Sequence, residues 1–238
     1  MNDIDQLIAN YQISEQAIAT VQATPIVLLV GITAAGKDTI QNKVLEDNEY
    51  HKIITHTTRA PRRNNGILEK DGDDYHFVSI EAMRQMLIDQ QFIEVNKFGD
   101  NYYGTSVGEF QSANQKNKIA LGDIDVNGIV SFKALSDKNI IPIFIVPPDF
   151  VTWRQRLDGR YHSQEELERE LPKRLVAAQN ELEHALAVPY FHFMINDDLA
   201  RAVRVTHEIA HGNNIFNRHD DEARIRARDL LAAIQASL

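Results

Sequence analysis

The sequence predicts an α/β fold of three layers, with a central, mostly parallel sheet between helices, and three observations carry that reading. Residues 25–30, PIVLLV, form an almost continuous apolar run, as a strand covered on both faces requires. The run passes directly into GITAAGK and a helical pattern, after which strand-like and helix-like segments alternate to residue 209. Between residues 55 and 113 the composition changes, so this stretch reads as an insertion rather than a piece of the main sheet.

Bulk properties set the limits. With 238 residues the chain has room for one substantial core and smaller appendages, and 43% hydrophobic with 25% charged residues excludes a fibrous or wholly disordered chain. Lys and Arg number 25 against 34 Asp and Glu, a formal charge of −9, so nothing attracts nucleic acid or an anionic membrane in general. Neither is an expected partner, and any polyanion must meet a local basic site. The absence of cysteine excludes disulfides, thiolate catalysis and Cys-containing metal sites. The start, MNDIDQLIANYQ, lacks the basic and apolar regions of a secretory signal, and no run is long enough to span a membrane, so a cytoplasmic location is expected.

The elements follow in order. Residues 1–24 form an N-terminal extension, with Ile4, Leu7, Ile8 and Tyr11 at the spacing of one short amphipathic helix, followed by a linker. Residues 25–54 are the first part of the core: the apolar strand, a helix from Lys37 to Glu46, and a strand through Lys52, Ile53 and Ile54. The insertion, 55–113, holds THTTRAPRR, the acidic GILEKDGDDYHF, a helix over 80–90, the strand-like FIEV and the run NYYGTS. Residues 114–155 return to the core with KIALGDID, whose carboxyl end carries Asp123 and Asp125, and with IIPIFIV, stopped by Pro147 and Pro148. In 156–175, Ser163 and Glu166 have capping-box spacing and start a helix, while Pro172 predicts a kink or restart. Residues 176–212 supply the stripe completed by Ala178, Leu182 and Ala185, the strand YFHFMI, the turn NDD and a helix from Leu199. The C-terminal extension, 213–238, carries a helix over 222–237 with Ala223, Ala227, Leu230 and Ile234 on one side.

Gly31, Ile32, Thr33, Ala34, Ala35, Gly36 and Lys37 have the spacing of a phosphate-binding loop placed between a strand and a helix. Its glycines permit a tight turn, backbone amides and the helix N-terminus supply donors, and Lys37 can neutralise a transferring phosphate. Asp38 stands where a hydroxyl usually follows the lysine, with Thr39 one position later. A carboxylate is a hard ligand, so Asp38 can hold magnesium directly or through water, yet without the cation it weakens nucleotide binding. Its other reading is a helix cap with altered chemistry. In the insertion, Arg59 and Arg62 flank Pro61 at a spacing that presents two planar donor forks to one phosphate.

Ten blocks, GITAAGK, THTTRAPR, DYHFVS, FIEV, YYGTS, GDIDVNG, PPDF, RLDGR, KRLVAAQNEL and INDDL, run in this order over residues 25–212, and with them the chain resembles the guanylate kinase family. The resemblance implies a P-loop NTPase-like core, a nucleoside-monophosphate-binding region over 55–113 and a helical lid over 156–175. It implies transfer of the terminal phosphate of ATP to GMP or dGMP, with Mg2+ accompanying ATP. Lys37, Arg156, Arg160 and Arg174 then match the catalytic positions, and the loop from Gly31 to Thr39 with Asn196 matches the ATP site. Arg59, Arg62 and Tyr75 match acceptor-phosphate contacts, with Tyr103 nearby. Glu94 matches a guanine-reading carboxylate, assisted by Thr55 or Thr105 and by Asp125. Such a carboxylate accepts from the N1 and exocyclic amine donors of guanine, a pair that adenine lacks. Asp38 and Asp123 are the magnesium candidates. His56, beside the acceptor motif, is read as structural or peripheral, since phosphoryl transfer needs no histidine base.

The departures lie at both ends of the reaction. Ala34 replaces a family glycine, Asp38 the hydroxyl and Thr55 a serine, and the stretch from Arg62 to Tyr75 is longer than usual and carries Glu69, Asp71, Asp73 and Asp74. A changed acceptor loop is expected. The lysine-aspartate pair also resembles that of related ribose 1,5-bisphosphate kinases, whereas TTRAPR, FIEV and YYGTS keep the nucleotide-acceptor pattern. A non-catalytic protein-binding module is the remaining alternative, opposed by the retained Lys37 and arginines. The extensions are read as packing on the core, with a homo-oligomer left open.

Overall fold

A computed structural model describes residues 3–64, 66–161, 163–212 and 217–238. In chain order the first elements are α1 (Asp3–Ala9), α2 (Glu15–Ala23), β1 (Ile26–Val30), α3 (Lys37–Val44), β2 (Tyr50–Lys52), β3 (His56–Thr57), β4 (Arg63–Asn64) and β5 (Ile67–Leu68). Next come β6 (His76–Phe77), α4 (Ile80–Ile88), β7 (Phe92–Phe98), β8 (Asn101–Ser106), α5 (Val107–Gln115), β9 (Ile119–Asp123) and α6 (Val126–Leu135). The chain ends with β10 (Ile140–Val146), α7 (Phe150–Asp158), α8 (Gln164–Ala187), β11 (His192–Ile195), α9 (Leu199–Ala210) and α10 (Asn217–Gln235). They fall into two compact units: Met1–Ile26, Asn48–Gly122 and Ser131–Asn139 in the first, Val27–Asp47, Asp123–Val130 and Ile140–Leu238 in the second.

In the first unit β2 and β9 pair in parallel, Tyr50 opposite Ile119. The ladder is shorter than expected, because the Ile54 N–H donates at 3.0 Å to the Glu109 carboxylate instead of to a strand. The insertion builds its own sheet, in the order β6-β3-β8-β7. There β3 runs parallel to β6 and antiparallel to β8, and β7 and β8 are antiparallel. Ile4, Met83, Leu87, Phe92 and Tyr102 form its buried cluster, against which Leu7, Ile8 and Tyr11 pack. Burying side chains of this size contributes about 1.5–3 kcal/mol each, so α1 belongs to the core of this unit. The single N-terminal helix expected from the sequence is two: Ser14 accepts from the Ala17 N–H and starts α2 afresh. Tyr11 fills the interval by pairing its hydroxyl with the backbone of Phe92.

In the second unit the strand order is β11-β10-β1, with β10 and β11 parallel and Ile143 opposite His192. All five residues of β1 are buried, as its unbroken apolar run requires. Ser163 caps α8 by accepting from the Glu166 N–H, as the spacing predicts. The expected restart at Pro172 does not occur, and α8 is one helix of 24 residues. Proline removes the N–H that the Glu168 carbonyl would accept, but both residues are exposed and water can take the place of that bond. The helix α10 starts earlier than predicted and packs on α8, α7 and β11. The first residues of the expected C-terminal extension, 213–216, lie outside the described residues. Asp220 accepts from the Phe193 N–H, and Arg224 donates to both Asp220 and the Phe191 carbonyl, which covers the exposed edge of β11. Among the described residues no helix is long and apolar enough to cross a membrane.

Candidate functional site

The phosphate-loop residues turn between β1 and α3 in the second unit. Gly31 has φ 150°, and a Cβ there would meet the Ile145 carbonyl at 2.6 Å. Gly36 has φ 97° and would drive a Cβ into the amide of Asn196. Ala34 keeps the left-handed turn at φ 66°, at a cost of about 1–2 kcal/mol, so replacing the family glycine strains the loop without opening it. Gly36 is the N-cap of α3 and offers no side-chain cap, leaving the first N–H groups of the helix to an anion.

The loop's own lysine and side chains from three other elements or turns hold this loop. The Lys37 ammonium folds back to donate to the Gly31 carbonyl. Trp153 on α7 donates Nε1–H to the Thr33 carbonyl at 2.8 Å, and Arg174 on α8 reaches the Thr33 hydroxyl at 3.5 Å. Asn196, just past β11, donates Nδ2–H to the Ala35 carbonyl at 2.7 Å and is buried. Its side chain therefore buttresses the loop. Arg156 donates to the Asn196 carbonyl at 3.0 Å, and its buried Nη1 has no partner. Arg160 stands 3.9 Å from Asp38, both largely exposed. Thr39, the next residue of α3, is exposed.

The sequence reading missed Glu181. Burial pushes its carboxyl up to about 7; Lys37 opposes the shift, Asp125 adds to it and Arg174 opposes it. Arg174 and Glu181 are seven residues apart on α8, the spacing that returns to the same helix face, and that was the available signal. Asp125 differs from a free strand-end acid. Its Oδ1 accepts from the N–H groups of Asn127 and Gly128 at 2.9 and 2.7 Å and so caps α6. Asp123 is the exposed last residue of β9.

The other predicted residues gather in the first unit. Arg59 lies with its guanidinium 5.2 Å from the Tyr75 ring centre, and Tyr75 and Tyr103 meet edge to face at 6.2 Å. Its Nη1 and Nη2 donate to the two oxygens of Glu69 at 2.8 and 3.1 Å. The same carboxylate accepts from the Arg62 N–H at 2.7 Å and lies 3.8 Å from Nη2 of Arg62. Burial opposes the Glu69 anion, but these arginine bonds hold its pKa below the ordinary value. Burial likewise opposes the Arg59 cation, and Glu69 with Tyr103 more than offsets it. The Nε of Arg59 is buried without a hydrogen bond, which costs about 1–3 kcal/mol when no acceptor is supplied. In the sequence Glu69 is one acid in a long loop; its approach to Arg59 depends on a turn that spacing does not reveal.

On the neighbouring strand pair Glu94 stands opposite Thr105. Its Oε1 accepts from the Thr105 hydroxyl at 2.7 Å, and its Oε2 accepts from the Asn96 amide. Thr55 enters this sheet through its carbonyl, which accepts from the His76 N–H at 3.0 Å. Next to it, His56 is pushed down to about 4, by burial and then by His76, and stays neutral at physiological pH. That agrees with a structural role.

Residues 22–211 match the family model described as guanylate kinase. Guanylate kinase of Schizosaccharomyces pombe is 34% identical over 190 residues, 79% of this chain and 90% of that one. Guanylate kinase of Homo sapiens is 36% identical over 179 residues, 74% of this chain and 87% of that one. The crystal structure of guanylate kinase from Anaplasma phagocytophilum shares the fold, with a TM-score of 0.60 over 89% of this chain and 95% of that one at 24% identity.

Proposed function

Since the chain belongs to the guanylate kinase family, we propose that its two sets of residues serve the transfer of the γ-phosphate of ATP to GMP, giving ADP and GDP. The chain is a nucleoside monophosphate kinase; the part each residue takes is our reading. The observation that carries the choice of acceptor is the Glu94 carboxylate, fixed by donors from Thr105 and Asn96. A carboxylate is acceptor-only with about four acceptor positions, the complement of the N1 and exocyclic amine donors of guanine. Adenine would present an acceptor there. A ribose bisphosphate would make no use of Glu94, and a protein-binding module would have no need of the phosphate loop.

Arg59, Arg62, Tyr75 and Tyr103 take the acceptor phosphate, and Thr55 or Thr105, with Asp125, assists Glu94 in reading the base. The loop amides from Gly31 to Thr39 take the donor phosphates, and Lys37 neutralises the group in flight. Arg156, Arg160 and Arg174 stabilise the charge that spreads over its oxygens as the acceptor attacks in line. Asn196 acts on ATP through the loop it holds. Mg2+ suits the exposed carboxylates of Asp38 and Asp123, since it keeps several waters and takes one or two carboxylates with substrate phosphates. When bound it would offset the negative charge of the donor phosphates. The 156–175 segment, as a lid, would exclude water and so suppress ATP hydrolysis. The same reading places the enzyme in the cytoplasm, with free nucleotides as its partners.

Coupled ATP consumption with Mg2+, compared over GMP, dGMP, AMP, UMP and ribose 1,5-bisphosphate with direct identification of the product, tests this. GDP formed fastest from GMP is the expected result. Faster turnover of the ribose compound would move the acceptor assignment, and no turnover by folded protein would return the protein-binding reading.

A further inference from the structure

A guanidinium offers two double-donor edges, one end-on through Nη1 and Nη2 and one side-on through Nε and Nη2. In Arg59 they are divided. The end-on edge is spent on the two oxygens of Glu69, and the remaining Nη1–H goes to the Ala60 carbonyl at 2.8 Å. The side-on edge keeps Nε without a hydrogen bond although it is buried. We propose that Glu69 is a positioning residue that locks Arg59 by its end-on edge, so that the acceptor phosphate is read by the side-on edge.

The geometry separates this role from that of a carboxylate that competes with phosphate and is displaced. Glu69 has 4% side-chain exposure, and it is zipped to Arg62 twice, its own N–H donating to the Arg62 carbonyl at 2.8 Å while its carboxylate takes the Arg62 N–H. Moving it aside would strip a buried anion of its partners, which is far more costly than exchanging one exposed contact. Arg62 differs: its side chain is 63% exposed and only grazes Glu69, so it is free to close on the phosphate as the second fork. Glu69 also cancels one positive charge at the site. That tempers the electrostatic pull on any anion and leaves selection to the direction of the donors.

The inference rests on reading Arg59 as an acceptor-phosphate contact, and its test separates the two. Purified full-length Glu69→Gln would keep the shape but turn an amide donor toward the Arg59 donors. The expected result is a KM for GMP raised about tenfold or more with kcat and the KM for ATP within about threefold. An unchanged or lowered KM for GMP overturns the positioning role, the lowered value being the mark of a competitor. Arg59→Lys keeps the charge and loses both edges, and the double variant should be no worse than Arg59→Lys alone; losses that multiply would also overturn it. A Glu69→Gln protein that does not fold leaves a second route, Glu69→Asp, in which a shortened but still acidic partner should recover much of the GMP affinity. Failure of the unaltered protein to use GMP would sink the functional reading instead.

Discussion

The buried amide of Asn196 occupies the space that a Cβ on Gly36 would need, while it donates to the carbonyl of Ala35 at 2.7 Å. The phosphate loop and the turn after β11 are therefore interlocked. Gly36→Ala should lose at least about a hundredfold in kcat/KM for ATP, because the left-handed φ and the displaced amide both distort the loop. Steady-state kinetics with ATP varied decides it, and a loss confined to GMP would contradict the interlock.

Asp38 puts a carboxylate, 72% exposed, at the start of α3, where donor phosphates are expected. Asp38→Ser should raise the affinity for metal-free ATP by roughly threefold to tenfold, a screened like-charge effect. With saturating Mg2+ the gain should shrink or reverse. Calorimetric titrations in chelator and in Mg2+ give the two values, and equal effects in both would remove Asp38 from the metal's surroundings.

Glu94→Gln would present an amide donor to the donors of guanine while leaving the strand pair intact. The KM for GMP should rise by roughly one to two orders of magnitude, with the KM for ATP nearly constant. Unchanged GMP kinetics would take guanine reading away from Glu94.

Glu181 gives a pH prediction. The folded protein holds its proton up to about 7, whereas an ordinary glutamate releases it near 4.5, so the native state binds more protons between those values. Stability contributed by the group falls as pH rises through that window and stays lower above it. Glu181→Gln should thus be more stable than the parent at pH 8, by on the order of 2–3 kcal/mol, and equal to it near pH 4. Denaturant unfolding of nucleotide-free protein at the two pH values tests the sign.

What the sequence revealed was local. PIVLLV and GITAAGK announce a buried strand and a phosphate loop because both are written in consecutive residues, and Ser163 announces the start of α8 for the same reason. A restart at Pro172 does not follow from the proline alone, because its penalty depends on whether water reaches the backbone around the exposed Glu168, which periodicity does not report. The break at Ser14 was visible as a capping residue but not distinguishable from a linker. Arg59 stands out by its motif, whereas its ion-pair partner Glu69 lies ten residues on, across the β4–β5 hairpin. The resemblance matches Asn196 to the ATP site, and its contact with the Ala35 carbonyl is a tertiary one that spacing does not report. Glu181 shares a helix face with Arg174, but the burial that makes it matter belongs to tertiary packing.

Ile4 packs with Met83, Leu87, Phe92 and Tyr102, and every segment of its unit is complete by Asn139. The second unit must wait for β11 and for α10, which ends at Gln235. During synthesis at about 5–20 residues per second, the unit that holds Arg59 and Glu94 has all its parts several seconds before the unit that holds Lys37. Until then α1 waits for strands near residue 100, with the apolar face around Ile4 uncovered in the newborn chain where a chaperone can meet it.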